Sequence, residues 1–404
     1  MLIPDPQASL ADSTPVAAPP AAQPLASVKP LAKAQPLPGK QDALTQARAT
    51  VRLGAVRRNY KKIIKQAGHS QVAVAVKADG YGLGASAVAK SLWSAGCVEF
   101  FVAHAEEGIA IRKALPGAAI NVLSGVMPGT ECEMVEYNLT PTIINVQQLQ
   151  LWQRQAYKLG CEVTCGLHLD TGMHRTGLPA NEIALIQQQP ERLNGLHVNH
   201  IISHLASADD PDSQQPEQQL HRFRSALGQL PAARASIANS AGIFRDNQFH
   251  LDLVRPGIAV YGGNPQPIRA NPMEPAVVLE APLLQVVDAT QGDLIGYGAS
   301  YKTAGTARHG IIAAGYADGV LRSTSNKGEV AIGNRRCPVI GRVSMDVTTI
   351  DVTDIPQHLL YPGAPVELIG DTIKLDDAAT AAGTISYEML TAIGNRYKRH
   401  YAED

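Results

Sequence analysis

The sequence predicts an α/β protein: a (β/α)8 barrel of the TIM type, followed by a mostly β C-terminal domain. Two observations carry this. Eight short apolar runs alternate with amphipathic stretches between residues 72 and 254, as a barrel of parallel strands and covering helices requires. After Pro275 the alternation stops, and short β-type runs separated by turn residues take over.

Residues 1–45 form a leading arm rich in Pro, Ala, Gln and Ser. It has no periodic apolar face to bury, so an extended, disordered segment is expected. The barrel domain is assigned to 46–275. Its candidate strands are 72–76, 98–103, 119–123, 141–144, 162–169, 196–203, 235–238 and 251–254. Between them lie helical patterns at 106–115 and 146–159. The second places Val146, Leu149, Leu151, Trp152 and Tyr157 near one face of a 3.6-residue period. A doubly wound sheet is the alternative, but no GxGxxG fingerprint with a downstream acid supports it. The β-rich domain, 276–404, has candidate strands at 276–287, 310–314, 329–332, 339–343, 347–352 and 366–369, and a closing helix at 386–394.

The chain has 404 residues, 45% hydrophobic and 18% charged, with a formal net charge of −1. That is the composition of a globular protein, without a basic field for nucleic acid or anionic membrane. Arg57, Arg58, Lys61, Lys62 and Lys65 cluster on a short helical stretch and read as a solvated face. The five cysteines, Cys97, Cys132, Cys161, Cys165 and Cys337, are too few for a disulfide framework, and the spacing of Cys161 and Cys165 lacks the partners of a zinc site. No apolar run approaches a membrane span and no secretory leader is evident, so the cytoplasm is the expected compartment.

Lys77 ends the buried-type run 72–76 and precedes a glycine-bearing turn that contains Tyr81. A lysine at a strand end ordinarily reaches into water. A low-dielectric strand end, however, favours a neutral nucleophilic amine, and the turn can hold an anion through backbone N–H groups and a phenol. On the barrel reading, Lys77, Arg175, His204, Ser240 and Arg255 all follow strand ends on one rim, where barrel chemistry sits.

These residues lie in segments that resemble the alanine racemase family, enzymes dependent on pyridoxal 5′-phosphate. The segments are VAVKADGYGLG (74–84), LDTGMHRTG (169–177), HLASAD (204–209), NSAG (239–242), VRPGIAVYG (254–262), GYGASY (296–301), GYADG (315–319), GRVSMDVTTIDVT (341–353) and ISYE (385–388). The resemblance covers the chain from about Thr50 onward and leaves out the arm. It implies that Lys77 binds the cofactor covalently and acts as the base on one face of the substrate, with Tyr301 of a second subunit as the base on the other. It implies that Arg255 bonds the pyridine nitrogen, with an ion pair to Asp252 as the structural alternative, and that His204 packs beside the ring. Tyr81, Ser240, the amides of Gly257 and Ile258, and Tyr387 match phosphate-side positions, although Ser240 alone reads as a helix N-cap. Arg175, Met345 and Asp346 match substrate-carboxylate positions. Tyr316, Arg322, Arg342 and Asp209 match a narrow access corridor. In many relatives a lysine that becomes carbamylated lies seven residues before the arginine matching Arg175. Here that place is His168, and no modified lysine is expected.

The function so implied is interconversion of L- and D-alanine by a homodimer, supplying D-alanine for peptidoglycan. The alternatives are a racemase of broader specificity (lysine, arginine or serine) and a non-enzymatic carrier of the cofactor. A carrier has no use for Tyr301 in an additional β domain.

Overall fold

A computed structural model describes residue 44 and residues 46–403; the leading arm to residue 43 lies outside the described residues. Each of the eight expected barrel strands is present; seven differ from expectation only at their ends, and the first is also broken in the middle. The first is interrupted at Ala73 into Gln71–Val72 and Val74–Ala75, and the rest are Glu99–Val102, Ala119–Val122, Thr140–Ile143, Val163–His168, Leu196–Ile202, Arg234–Ser236 and Leu253–Val254. Seven pair in parallel in chain order, starting from Val74–Ala75. Leu253–Val254 closes the ring. It pairs in parallel with Gln71–Val72, while the N–H groups of Asp252 and Arg255 donate to the carbonyls of Ala235 and Ala238 at 3.1 and 2.9 Å. Strands covered on both faces read as continuous apolar runs, and Val72, Val74, Val76, Phe100, Phe101 and Val102 are all buried.

The outer helices follow the 3.6-residue period. Leu53–Ala67 buries Leu53, Val56, Tyr60, Ile63 and Ala67. Its cationic face is partly paired: Arg57 meets Glu403, and Arg58 and Lys62 meet Glu274. Val146–Leu159 is capped by the Asn145 side chain, which accepts from the Gln148 N–H, and ends at left-handed Gly160. Its buried stripe is Leu149, Trp152 and Ala156. Tyr157, expected on that stripe, is 65% exposed.

The β-rich part is a mostly antiparallel sheet. In spatial order it runs Arg335–Pro338, Glu329–Ile332, Pro365–Ile369, Val277–Ala289, Arg48–Arg52 and Lys398–Ala402. The far half of Val277–Ala289 pairs instead with Ala307–Ile312, which pairs with Thr348–Asp351. Residues 339–343, expected as a strand, contribute only an isolated bridge from Val339 to Ile350, because the chain turns at Gly341 with φ 71°. The hairpin partner of Glu329–Ile332 is Arg335–Pro338 instead. The closing helix is Ser386–Thr391, and a helix that sequence reasoning missed, Leu375–Ala382, precedes it.

Arg48–Arg52 belongs to this sheet although it precedes every barrel strand. It runs antiparallel to Val277–Ala289 and parallel to Lys398–Ala402. Its alternating burial, with Ala49 and Val51 inside, is legible in the sequence, but its partners lie more than two hundred residues away. A single strand thus ties the start of the barrel to the second domain. Val51→Asp should place an unpaired carboxylate in this core and lower unfolding free energy by about 3–5 kcal/mol. Lys398→Asp, on an exposed position of the neighbouring strand, should cost less than about 1 kcal/mol. Urea unfolding followed by circular dichroism measures both, and equal effects would contradict this role for the strand.

Candidate active site

Beyond Val76 the chain turns into a left-handed coil. Ala78, Asp79 and Gly80 have φ/ψ near 52/50°, 52/48° and 62/45°, and Tyr81 and Gly82 follow at φ 56° and 78°. Left-handed helical backbone costs an L-residue about 1–2 kcal/mol, so this turn needs external support. The N–H groups of Gly82 and Gly84 donate to Ala78 and Asp79 carbonyls, both at 2.8 Å. The Asp79 carboxylate accepts the Ala85 N–H that opens the helix Ala85–Ser94, and Arg399 donates to the Gly82 carbonyl. The Glu107 carboxylate accepts the Ala78 N–H at 2.6 Å and the Ala103 N–H at 2.7 Å. Gly82 also cannot be replaced without cost, because a Cβ there would lie 2.3 Å from the Leu390 carbonyl oxygen.

Lys77, the residue before this turn, is half-buried at the barrel rim. Burial lowers its pKa below the usual lysine value and the Arg175 cation lowers it further, partly offset by Glu107. Arg175 is exposed and makes no hydrogen bond among the described residues, yet its charge also acts on His168 and His204. Lys77, Arg175, His168 and His204 therefore share one rim, as the strand positions imply.

Arg255 follows the last barrel strand and is buried. Its guanidinium donates to Ser236 Oγ and to the Ser203 carbonyl, both at 2.5 Å, and stands 5.8 Å above the Phe101 ring centre. Burial draws its pKa down to about 9, which still leaves a cation at neutral pH. Its Nη2 lies 3.5 Å from His204 Nδ1. A guanidinium can only donate, so Nδ1 accepts and the imidazole proton sits on Nε2. Burial, with Arg255 as the next cause, holds His204 well below the usual histidine range and keeps it neutral. The alternative pairing of Arg255 with Asp252 does not occur; that carboxylate accepts the Ala235 N–H.

A second cluster faces the same rim. Tyr81 stacks on Tyr261 with ring centres 4.5 Å apart and lies 6.0 Å from the Tyr387 ring. Its hydroxyl sits against Gly257, where a Cβ would come within 2.1 Å of it, so only glycine lets the phenol and this backbone meet. Ser240 Oγ accepts the N–H groups of Gly257 and Ala259 at 2.9 and 3.3 Å. Ser240 is not the N-cap of its helix; Asn239 fills that place and accepts the Gly242 N–H. Ile258 is buried beside Gly257.

Among the described residues no hydrogen bond, ion pair or ring contact joins Tyr301, Met345 or Asp346 to Lys77. Tyr301 sits in a small ribbon, Leu294–Ile295 with Tyr301–Lys302, and Met345 is 53% exposed. Asp346 is held by Arg396, which also binds both carboxylate oxygens of the buried Asp318. Sequence reasoning missed Tyr261, Glu107 and Arg399. Glu107 carried a faint signal, being the third residue of a helix, where an acid ordinarily caps its own N-terminus. Among the described residues no cluster of His, Cys, Asp and Glu could hold a metal, and no helix is long and apolar enough to cross a membrane.

Residues 51–265 match the family model of the alanine racemase N-terminal domain, and residues 276–401 that of the alanine racemase C-terminal domain. The chain belongs to the alanine racemase family. It is 42% identical over 355 residues to the catabolic alanine racemase of Agrobacterium fabrum, covering 88% of this chain and 92% of that protein. It is 42% identical over 353 residues to the alanine racemase of Rickettsia canadensis, covering 87% and 98%. Among solved structures, the alanine racemase of Bartonella henselae with covalently bound pyridoxal phosphate superimposes with a TM-score of 0.84 at 35% identity, over 88% of this chain and 99% of that one. The biosynthetic alanine racemase of Pseudomonas aeruginosa gives 0.83 at 33%, with the same coverage. The chain is an enzyme of this family, with its fold of barrel and β-rich domain.

The racemase fold buries imidazoles at a cost that depends on pH. Burial first, then neighbouring arginines, pushes His168 and His200 down to about 3, and His204 falls well below its usual value. The His168 Nδ1 is buried without a hydrogen-bond partner. Each ring stays neutral in the fold but takes a proton in the unfolded chain below pH about 6.5, so the unfolded state binds more protons and stability falls as pH drops towards 3. Unfolding near pH 5 should take up about two to three protons from these residues, and His168→Gln should remove about one. Stability measured against pH by urea unfolding tests this; a slope unchanged by the substitution would contradict the burial of a neutral His168.

Proposed function

We propose that this chain interconverts L- and D-alanine with pyridoxal 5′-phosphate, as a cytoplasmic homodimer supplying D-alanine for peptidoglycan. In this reading residues 46–275 hold the cofactor, joined by Tyr387 from residues 276–404, which also supply the opposite base to the partner's site. The observation that carries it is the pairing of an amine of lowered pKa, Lys77, with a separate phenol and hydroxyl cradle on the same barrel rim.

The residues present fit the cofactor. Tyr81, Ser240, the Ile258 amide and Tyr387 offer neutral donors suited to a phosphate dianion; the Gly257 amide, which donates to Ser240 Oγ, would join them once that bond opens, and Gly257 lets the Tyr81 hydroxyl reach the cradle. Lys77 Nζ offers an amine for the aldehyde carbon. When bound, the cofactor supplies the electron withdrawal that makes the substrate α-hydrogen acidic.

The protein's share is to hold and move protons. Burial, then Arg175, lower the Lys77 pKa and so make the neutral amine easier to reach, the form in which Nζ would take the α-proton on one face. Inversion requires a proton from the opposite face, and the partner's Tyr301 Oη is the group suited to deliver it. Arg255 has no acceptor and remains a cation, so it can donate to the pyridine nitrogen but cannot accept a proton from it. That restrains electron withdrawal and favours proton return over side reactions. His204, kept neutral by burial first and by Arg255 next, would stand beside the bound cofactor without competing for protons. Arg175, unpaired within the described chain, is free to meet the substrate carboxylate, together with the Met345 amide and Asp346 of the partner subunit. His168 occupies the place behind Arg175 as a neutral imidazole.

Lys77→Ala should lose the absorbance of covalently bound cofactor near the visible edge and all measurable racemisation; a borohydride-reducible adduct surviving in that variant would overturn the assignment. Tyr301→Phe should keep the absorbance, lower racemisation by about 10²–10⁴-fold, and still exchange the α-hydrogen of one enantiomer with deuterated solvent. Full racemisation in that variant, read by chiral chromatography, would contradict the two-base reading. Alanine should exceed lysine, arginine and serine in the same assay, and the reverse order would replace alanine as the substrate.

A further inference from the structure

We infer that Glu107 is a positioning residue for Lys77, holding the peptide that follows the lysine in the place where its amine can work. The inference rests on the reading of Lys77 as the cofactor-binding base. Glu107 stands on the helix Ala105–Ala114, beyond the second barrel strand, and an acid at its third position ordinarily serves that helix alone. Here the carboxylate does more than cap. One oxygen accepts the Ala78 N–H at 2.6 Å, on the peptide bond that joins Lys77 to Ala78. The other accepts the Ala103 N–H at 2.7 Å, one residue past the strand Glu99–Val102. The His104 N–H, the ordinary capping target, is the most distant at 3.4 Å.

The side chain thereby fastens the carboxyl ends of the first two barrel strands to each other, at the residue next to the reactive amine. The need follows from the backbone. Ala78, Asp79, Gly80 and Tyr81 all have positive φ, so the turn is not one these residues adopt unaided. Other contacts restrain it further along: Asp79 holds Ala85, and Arg399 holds Gly82. Among the described residues, Glu107 supplies the side-chain contact at the lysine end. Its charge also acts on Lys77 in the direction opposite to Arg175. Two acceptor oxygens are required. Glutamine keeps one acceptor and turns a donor towards the other N–H, whereas alanine keeps neither.

Full-length holoenzyme carrying Glu107→Ala, Glu107→Gln or Glu106→Ala tests this, with Lys77→Ala in parallel. Glu106 is exposed on the same first turn and serves as the control for a merely helical role. Glu107→Ala should lower kcat by about 100-fold, the scale of loss for an ångström of misplacement, while KM moves less than about threefold. Amide hydrogens of the peptide spanning 76–84 should exchange at least about tenfold faster by mass spectrometry, with the cofactor leaving faster in dialysis. Glu107→Gln should fall between this variant and the parent, and Glu106→Ala should match the parent in all readouts. The inference is overturned if Glu107→Ala keeps kcat within threefold, or if exchange in 76–84 stays at the parent rate. Should Glu107→Ala fail to fold, parental kcat and exchange in Glu107→Gln overturn it equally. Retention of covalent cofactor in Lys77→Ala would sink the underlying reading instead, so the two failures are distinguishable.

Discussion

The first barrel strand ends in a left-handed coil, and the geometry of the rim depends on that coil being held. Lys77 lies where the strand hands over to it, and Tyr81 lies within it. One strained turn therefore fixes both the Lys77 amine and the Tyr81 phenol, the groups proposed to hold the cofactor. Its supports come from three directions: Glu107 after the second strand, Asp79 at the helix Ala85–Ser94, and Arg399 from the C-terminal domain. Strain of this kind persists where surrounding contacts over-determine it, and here they reach across both parts of the chain.

The electrostatics of the rim follow from burial around one cation. Arg255 is buried with two oxygen partners and lies near His204, and it contributes to the lowered pKa of His168, His200 and His204. The result is a site whose imidazoles are neutral and whose lysine is easier to deprotonate than an exposed one. Such a site suits transfer of a proton to and from carbon, because a base must be unprotonated before it can act. The fold accepts instability in acid as the consequence.

Much of this was legible in the sequence, and the parts that were not share a cause. The barrel strands could be read because parallel strands covered on both faces leave dense runs such as 72–76 and 98–103. Lys77, Arg255 and Ser240 could be read because strand order places their segments on one rim. Sequence reasoning missed Arg48–Arg52 as a strand and counted its residues with the barrel, since its partners Val277–Ala289 and Lys398–Ala402 lie far along the chain. Residues 339–343 carried strand-type side chains, but Gly341 ended the pairing. Glu107 was missed, because nothing local reveals that one of its oxygens faces Ala78. Tyr301 and Asp346 could be singled out only through the family resemblance, and no contact among the described residues joins them to Lys77.

The proposed function makes one central claim, that each site is completed by two chains. The most direct measurement mixes Lys77→Ala protein with Tyr301→Phe protein, each nearly inactive alone, under conditions that exchange subunits. If the bases come from different chains, half of the dimers are mixed and each has one intact site, so racemisation recovers to about one quarter of the parent rate. If both bases act from one chain, every site in every mixture carries a defect. Activity then stays at the level of the separate variants, and that result would contradict the account.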